Sequence, residues 1–443
     1  MRELFFLFLI LFWIGLGAYP LAEPDEARNG EIAREMVVDG NWFPPTLNGR
    51  VRYQKPPLYY WVSAIFSKWF SSYEFGVRVV SALSATLLAL LVLIWGEKMW
   101  GNGWPSALAL VSFLMVFAYA RIGRMDMLLS LFVAAAVFMF WEGRELPGGL
   151  FTALAFLTKG PVALVFVASA VVPMYLSGAR FSPRRMLGAF LLFLVITASV
   201  FLLMEVRSPG YCRAFFWKEN VLRYLTPVFK REEPFYYFIL VLVAGLLPWT
   251  PWLIFGFRRR LEAAMGIRSD AFMLLGWMLI PVVFFSLSKS KLPHYILPSF
   301  PAWALFAGST VSTPPMKILR GAALIYLVAV FVFFPWYASR RSLKELAFSV
   351  RSSYPFVPIY TLEEKLYGVS LYGGAIASKV DSGVLKGVSF KGRFWVVGKL
   401  KKLKGLSLEG CVGRLFVKRG KYAAVLFECS PFEKAEGEDK SPH

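Results

Sequence analysis

Acidic residues are scarce in this chain. Its 443 residues include 28 Asp and Glu against 49 Lys and Arg, for a formal net charge of +21. Charged residues of both signs make up 17%, where a soluble globular domain carries about 25%. Histidine is scarcer still. There are two, His294 and His443, which excludes a histidine-rich metal centre. The three cysteines, Cys212, Cys411 and Cys429, show no metal-type spacing. No nucleic-acid-binding module and no internal repeat is visible. The positive charge is therefore assigned to cytoplasmic loops and anionic lipid headgroups, not to nucleic acid.

What is plentiful is apolar. The composition is 57% hydrophobic and 17% aromatic, with a mean hydropathy of +0.55. A bilayer core takes about 20 apolar residues per helix. Runs at 4–19, 76–97, 104–121, 125–142, 148–158, 160–177, 186–205, 235–257, 271–287, 294–310 and 316–337 give eleven expected spans. The chain reads as a polytopic α-helical membrane protein of about 11–13 helices. Residues 58–71, short and rich in Trp and Tyr, read as an interfacial helix. The first run reads as a retained helix, because Gly17-Ala18-Tyr19-Pro20 is a poor cleavage site.

Short basic loops set the orientation. An N-terminus inside also places Arg180, Arg184, Arg185, Arg258, Arg259, Arg260 and Arg268 inside. Five polar clusters then share the outer side. After about residue 340 the apolar runs shorten and Gly, Ser and Lys rise. Segments 393–397, 414–417 and 422–427 read as strands, and 362–367 and 373–380 as helical. The expected division is a membrane domain, 1–338, with a first outer loop at 20–75, and a small outer α/β domain, 339–443. Cys411 and Cys429 flank two of its strands and suit a disulfide in an oxidising compartment. The tail 433–443 reads as disordered. The lysine-rich run Lys386–Lys404 suits either anionic headgroups or solvent.

The stretch from Glu23 to Trp61 concentrates acids in an acid-poor chain: Glu23, Asp25, Glu26, Glu31, Glu35 and Asp39. Asp25-Glu26 open an expected amphipathic helix, with Pro24 near its start. Tyr53-Gln54-Lys55-Pro56-Pro57 follows, and the prolines hold Lys55 at a set angle. The plain alternative is a polar loop with a capped helix. Arg121-Ile-Gly-Arg124-Met-Asp126 sits between spans, where ionisable residues are functional candidates. An Arg124–Asp126 anchor at a helix N-terminus explains it equally well. Lys159, in Thr158-Lys159-Gly160-Pro161, needs a partner or an aqueous cavity, or else snorkels. Trp217–Tyr224 carries Glu219 and Arg223 among aromatics, with Lys230–Glu233 beyond. Ser286–Tyr295 carries Lys289, Lys291 and His294, and lysines bind phosphate as point charges. Together these describe a cavity holding carboxylates, with a cationic rim, suited to a lipid phosphate.

Asp25-Glu26-Ala-Arg28, Lys55-Pro56-Pro57-Leu-Tyr-Tyr-Trp61, Arg124-Met-Asp126, Leu157-Thr-Lys159-Gly160-Pro161 and Ser288-Lys289 through Pro293-His294-Tyr295 run in order over residues 1 to about 310. In these motifs the chain resembles the polyprenyl-phosphate-sugar-dependent membrane glycosyltransferases of the GT-C fold, the lipid A aminoarabinose transferase and protein O-mannosyltransferase branch. The resemblance implies a GT-C bundle in a bacterial inner membrane, with its active site facing the periplasm. It implies Asp25 at the reacting centre and Asp126 as a second cavity carboxylate. Lys55 would bind the donor phosphate, with Glu26, Arg28, Tyr53, Arg124, Lys159, Arg223, Lys289, Lys291, His294 and Tyr295 binding substrate. The donor would be an undecaprenyl-phosphate-linked sugar, the acceptor lipid A or another envelope molecule, and the reaction an inverting transfer. The expected alternatives are protein O-mannosylation and, in another class, an anionic-lipid transporter or flippase. Against the latter, no matching pair of interrupted halves is visible. No cofactor is firmly implied. Metal-binding members place an acid where Gln54 stands and a histidine in the later loop, where Asn220 stands, so the positions for a divalent metal are not matched.

Overall fold

The structure is a computed structural model, described here for residues 1–226, 233–266, 268–309, 315–387 and 392–429. The chain divides into two compact units. One comprises residues 1–19 and 32–336, the other 20–31 and 337–443. The expected division had kept all of 20–75 with the membrane part, whereas residues 20–31 group with the C-terminal unit.

The first unit is helical. Its elements begin with α1 (Arg2–Trp13), then, after α2 (Asp25–Val38), which starts in the other unit, a two-residue hairpin of β1 (Thr46–Leu47) and β2 (Arg50–Val51). There follow α3 (Leu58–Trp69), α4 (Tyr73–Trp100), α5 (Trp104–Ser112), α6 (Leu114–Ala120), α7 (Asp126–Trp141), α8 (Glu145–Lys159), α9 (Val162–Leu176) and α10 (Pro183–Arg207). A π-helix, Ala214–Leu222, precedes α11 (Tyr237–Gly245), α12 (Thr250–Phe255), α13 (Phe257–Ala264) and α14 (Arg268–Ser286). A 3₁₀ turn, Pro293–Ser299, runs into α15 (Phe300–Gly308), and α16 (Met316–Val328) continues through a π segment into α17 (Phe334–Arg341).

Among the described residues four helical stretches are long and apolar enough to cross a membrane: Tyr73–Trp100, Pro183–Arg207, Arg268–Ser286 and Met316–Arg341. The expected run 235–257 is not one helix but two, α11 and α12, and 104–121 is divided at Phe113. Apolar composition registered the run but not the interruption. The broken ends satisfy one another: Leu114 N donates to Leu247 O at 2.8 Å, and Trp249 Nε1 to Ser112 Oγ at 2.7 Å. Inside a bilayer such backbone groups must find protein partners.

Buried arginines do similar work at the end of α1. Arg78 donates to the carbonyls of Leu16 and Tyr19 at 2.8 and 2.7 Å. Arg121 donates to those of Leu11 and Ile14. The Leu11 and Ile14 carbonyls are ones that the C-terminus of α1 leaves open, and those of Leu16 and Tyr19 belong to the loop that follows. Helices approach closely at glycine: a Cβ at Gly149 would meet Ala189 O at 2.4 Å, and one at Gly276 would meet Ser169 O at 2.3 Å. Long apolar side chains on α10 point outward instead, among them Leu187, Phe190, Val195 and Val206.

The second unit holds a five-stranded sheet in the order β4-β3-β5-β7-β6. Its strands are β3 (Ile359–Leu362), β4 (Ala377–Val380), β5 (Gly392–Lys399), β6 (Cys411–Arg419) and β7 (Tyr422–Cys429). β3 pairs in parallel with β4 and β5, and β7 antiparallel with β5 and β6. Trp395 and Val397 pack into one core with Leu343, Leu346 and Val350, and Phe394 and Val396 into another on the opposite face. A sheet covered on both faces reads as a continuous apolar run, which Phe394-Trp395-Val396-Val397 is. Helices α18 (Lys344–Ser353) and α19 (Tyr367–Gly373) belong to this unit, with two shorter helical turns at Ser382–Gly387 and Leu400–Leu403. Segments 362–367 and 373–380, expected helical, hold the end of β3, a turn and β4. Their conformation comes from parallel pairing, which local pattern does not encode. Cys411 and Cys429 face each other across β6 and β7 and are joined by a disulfide.

Candidate functional site

Asp126 stands at the N-terminus of α7, 2% exposed at its side chain. A carboxylate there offsets the helix dipole, but at that depth it also needs cations. Lys159, the last residue of α8, supplies one: Nζ lies 2.5 Å from Asp126 Oδ1. Arg124 Nε lies 3.4 Å from Oδ2. His294 Nε2 is 3.9 Å from Oδ1 and 3.2 Å from Arg124 Nη2. A guanidinium only donates, so His294 Nε2 accepts and the ring is neutral in this arrangement. One carboxylate against two fixed cations leaves the cluster with a net positive charge.

Chain geometry explains why Lys159 is placed so firmly. Gly160, the next residue, has φ +88°, a conformation that favours glycine. A Cβ there would also meet Phe215 Cζ at 2.5 Å. Pro161 then opens the way into α9.

Lys159 also lines a cavity of about 450 Å³ in the first unit. Lys55 lines it as well. Tyr211 fixes the backbone there, its hydroxyl donating to Lys55 O at 3.1 Å. Tyr53 packs on the Tyr211 ring and shares a 3.0 Å hydrogen bond with Ser208. Tyr295 lines the cavity, with Lys159 Nζ 5.3 Å from its ring centroid. The rest of the wall is mostly apolar, including Val162, Val165, Phe216 and Phe284. The arrangement suits an amphiphile with an anionic head.

The structure thus brings together Lys55, Arg124, Asp126, Lys159, His294 and Tyr295. Asp126 is not among the cavity-lining residues; it stands behind Lys159 and is satisfied by its cations. Lys289 is exposed, and its backbone N–H donates to Tyr224 O at 3.2 Å. Lys291 donates to Glu233 O at 2.9 Å. Neither lines the cavity. The Arg223 side chain, residues 230–232 and the tail from 430 lie outside the described residues. Asp25, Glu26 and Arg28 belong to the second unit, where Arg28 pairs with Asp25 at 2.6 Å and Glu26 accepts from Ala22 N at 3.1 Å.

The stretches that hold Glu219, Asn220, Tyr224, Ser288 and Ser290 stood out in the sequence, but these five were not among the expected site residues; all of them line the cavity. The signal in the sequence was an acid among aromatics; the structure adds that Glu219 is buried and that its segment forms a π-helix, a frequent functional marker. Asn220 Nδ2 donates to Phe215 O at 2.8 Å. Among the described residues no three His, Cys, Asp or Glu side chains gather in a way that would hold an ion.

Residues 54–206 match the family model described as dolichyl-phosphate-mannose-protein mannosyltransferase. The chain is 30% identical over 376 residues to an undecaprenyl phosphate-alpha-4-amino-4-deoxy-L-arabinose arabinosyl transferase of Enterobacter sp., covering 77% of this chain and 68% of that one. A relative of the same name from Sodalis glossinidius is 33% identical over 70% of this chain, and the chain spans 59% of that relative's length. The structure also resembles ArnT from Cupriavidus metallidurans bound to undecaprenyl phosphate, with a TM-score of 0.83, 20% identity, and 96% and 97% of the two chains covered. That likeness fixes the fold as the GT-C arrangement of a membrane protein. On sequence, the chain belongs to the family of the undecaprenyl phosphate-aminoarabinose arabinosyl transferases.

Proposed function

We propose that the chain is an inverting glycosyltransferase of the inner membrane. It moves a sugar from an undecaprenyl-phosphate-linked donor to an acceptor on the periplasmic side, most simply 4-amino-4-deoxy-L-arabinose to lipid A. The observation that carries this is the cavity of the first unit: two lysines, Lys55 and Lys159, in an otherwise mainly apolar wall. A mostly apolar cavity that carries two lysines fits a polyprenyl chain ending in phosphate. The names of the relatives supply the sugar.

In the transfer, an acceptor oxygen attacks the anomeric carbon as the bond to the donor phosphate breaks. Undecaprenyl phosphate leaves with the bonding electrons. Lys55 and Lys159 lower the cost of the charge gathering on it, a contribution that is large where donors are preorganised. Asp126 holds Lys159 in place. A phosphate acceptor is already ionised and needs no base, and the part the family resemblance then implies for Asp25 is to steady positive charge on the sugar. With a hydroxyl acceptor, Asp25 would take its proton.

The test is direct. Purified full-length protein is incubated with undecaprenyl-phosphate aminoarabinose and lipid A, and products are read by intact mass. One aminopentose gained by lipid A per donor consumed is the expected result. Donor left intact, or the sugar appearing on a protein instead, would remove this reading.

A further inference from the structure

The acidic motif is built into the C-terminal unit. Within that unit, residues 21–30 are fastened to segments more than 300 residues away. Glu23 N donates to Arg341 O at 3.2 Å. The Glu23 carboxylate accepts from Gly368 N at the start of α19. Leu21 N donates to the Tyr372 hydroxyl at 2.8 Å. Gly30 leaves room for its neighbours: a Cβ there would meet Leu21 Cδ1 at 2.6 Å and Leu371 Cδ2 at 3.0 Å. Gly368 is equally close-fitted, since a Cβ would meet Glu23 Oε1 at 2.9 Å. Leu21 and Ala27 are fully buried, and Glu26 and Asn29 nearly so. Asp25 stays partly open, 34% exposed, beside Pro24 and Arg28, which the packing also leaves accessible. Ordering a polar loop this completely costs conformational entropy, and one acidic helix start does not need it for solubility.

We propose that Glu23, Gly368 and Tyr372 are positioning residues for the transfer reaction, and that the C-terminal unit serves as the mould that holds the start of α2, and Asp25 with it. This rests on the reading of Asp25 as the carboxylate at the reacting centre. The physical reason is the steepness of catalysis with geometry: a misplacement of about 1 Å costs on the order of a hundredfold. Carbonyl and amide acceptors serve the latch as well as a carboxylate does. Glu23→Gln therefore keeps it, whereas Glu23→Ala removes the acceptor and Tyr372→Phe the hydroxyl.

Two measurements on the full-length protein test the proposal. The first is amide hydrogen exchange over residues 21–31. Exchange faster than wild type is expected in Glu23→Ala and Tyr372→Phe, and wild-type exchange in Glu23→Gln. The second is steady-state transfer. In the two disrupting variants kcat should fall about 10- to 100-fold while KM for the polyprenyl-phosphate donor stays at the wild-type value. Glu23→Gln should restore kcat. Tyr372→Phe is mild enough to leave folding intact, so a loss there is not unfolding. Unchanged exchange, or a loosened motif with wild-type kcat while Asp25→Asn is inactive, overturns the mould. If Asp25→Asn itself turns over normally, the assignment of Asp25 fails instead, whatever the latch variants do.

Discussion

Asp126 is held between Lys159 and Arg124, and its value lies in the pair it makes. Lys159 Nζ and Asp126 Oδ1 are 2.5 Å apart, with side chains 9% and 2% exposed. Removing one partner of such a pair strands a buried charge, at a cost of about 3–5 kcal/mol. Asp126→Asn should therefore lower the thermal unfolding midpoint sharply and abolish transfer. Asp126→Asn with Lys159→Met should recover most of the midpoint and none of the activity, because the phosphate cation is gone. A double variant no more stable than the single one would show that the pair is not the reason for the loss. Glu23 offers a pH-dependent counterpart. Burial pushes its carboxyl up to about 7, against lowering by the amides of Gly368 and Tyr367 and by Arg28. Below the unfolded value of 4.5 both states hold the proton. From there to about pH 7 only the folded state does, so stability falls as pH rises through this window, by about 3 kcal/mol in full. Glu23→Gln should flatten that fall, seen as an unfolding midpoint that declines less from pH 4.5 to 7.5 than in wild type.

Helices announced themselves by apolar runs, and most expected spans correspond to helical segments. Their interruptions did not, because a break inside a run of Leu and Phe changes no composition. The breaks at Phe113 and near Leu247 are stabilised by each other, through bonds between residues more than 100 positions apart. The same holds for the site. Arg124, Asp126, Lys159 and His294 were each conspicuous as polar residues beside spans, yet their convergence is tertiary. Arg121, in the same motif, proved to bind carbonyls at the end of α1. Attachment of the Asp25 motif to α19 was invisible for the same reason. At this scale the Ser112 hydroxyl is a fair test. It accepts from Trp249 Nε1 at 2.7 Å and is buried. Ser112→Ala leaves that indole N–H without its acceptor, at about 1–3 kcal/mol. Adding Trp249→Phe should return part of the lost unfolding midpoint in detergent. Equal instability in single and double variants would argue that the hydroxyl's own donation, to Leu108 O and Ala109 O, is what matters.

For the whole molecule, two independent arguments concern the side of the membrane on which the C-terminal unit matures. Positive charge in short loops, Arg180 to Arg185 and Arg258 to Arg268, assigns those loops to the cytoplasm, and alternation from there places the chain after residue 340 outside. The Cys411–Cys429 disulfide suits an oxidising compartment, which is also on the outer side. With Cys212 replaced by Ser, a membrane-impermeant maleimide should label intact spheroplasts only after a reductant has opened the disulfide. Labelling without reductant would deny the bond, and labelling only after lysis would reverse the topology. The bond spans 18 residues, for which loop-closure entropy gives about 3 kcal/mol. Cys411→Ala with Cys429→Ala should lower the unfolding midpoint by that order. Because the acidic motif is fastened within the same unit, the same pair should also loosen exchange at residues 21–31 before the helical unit melts. Loss of protection in both units together would instead mean that the chain unfolds as one block.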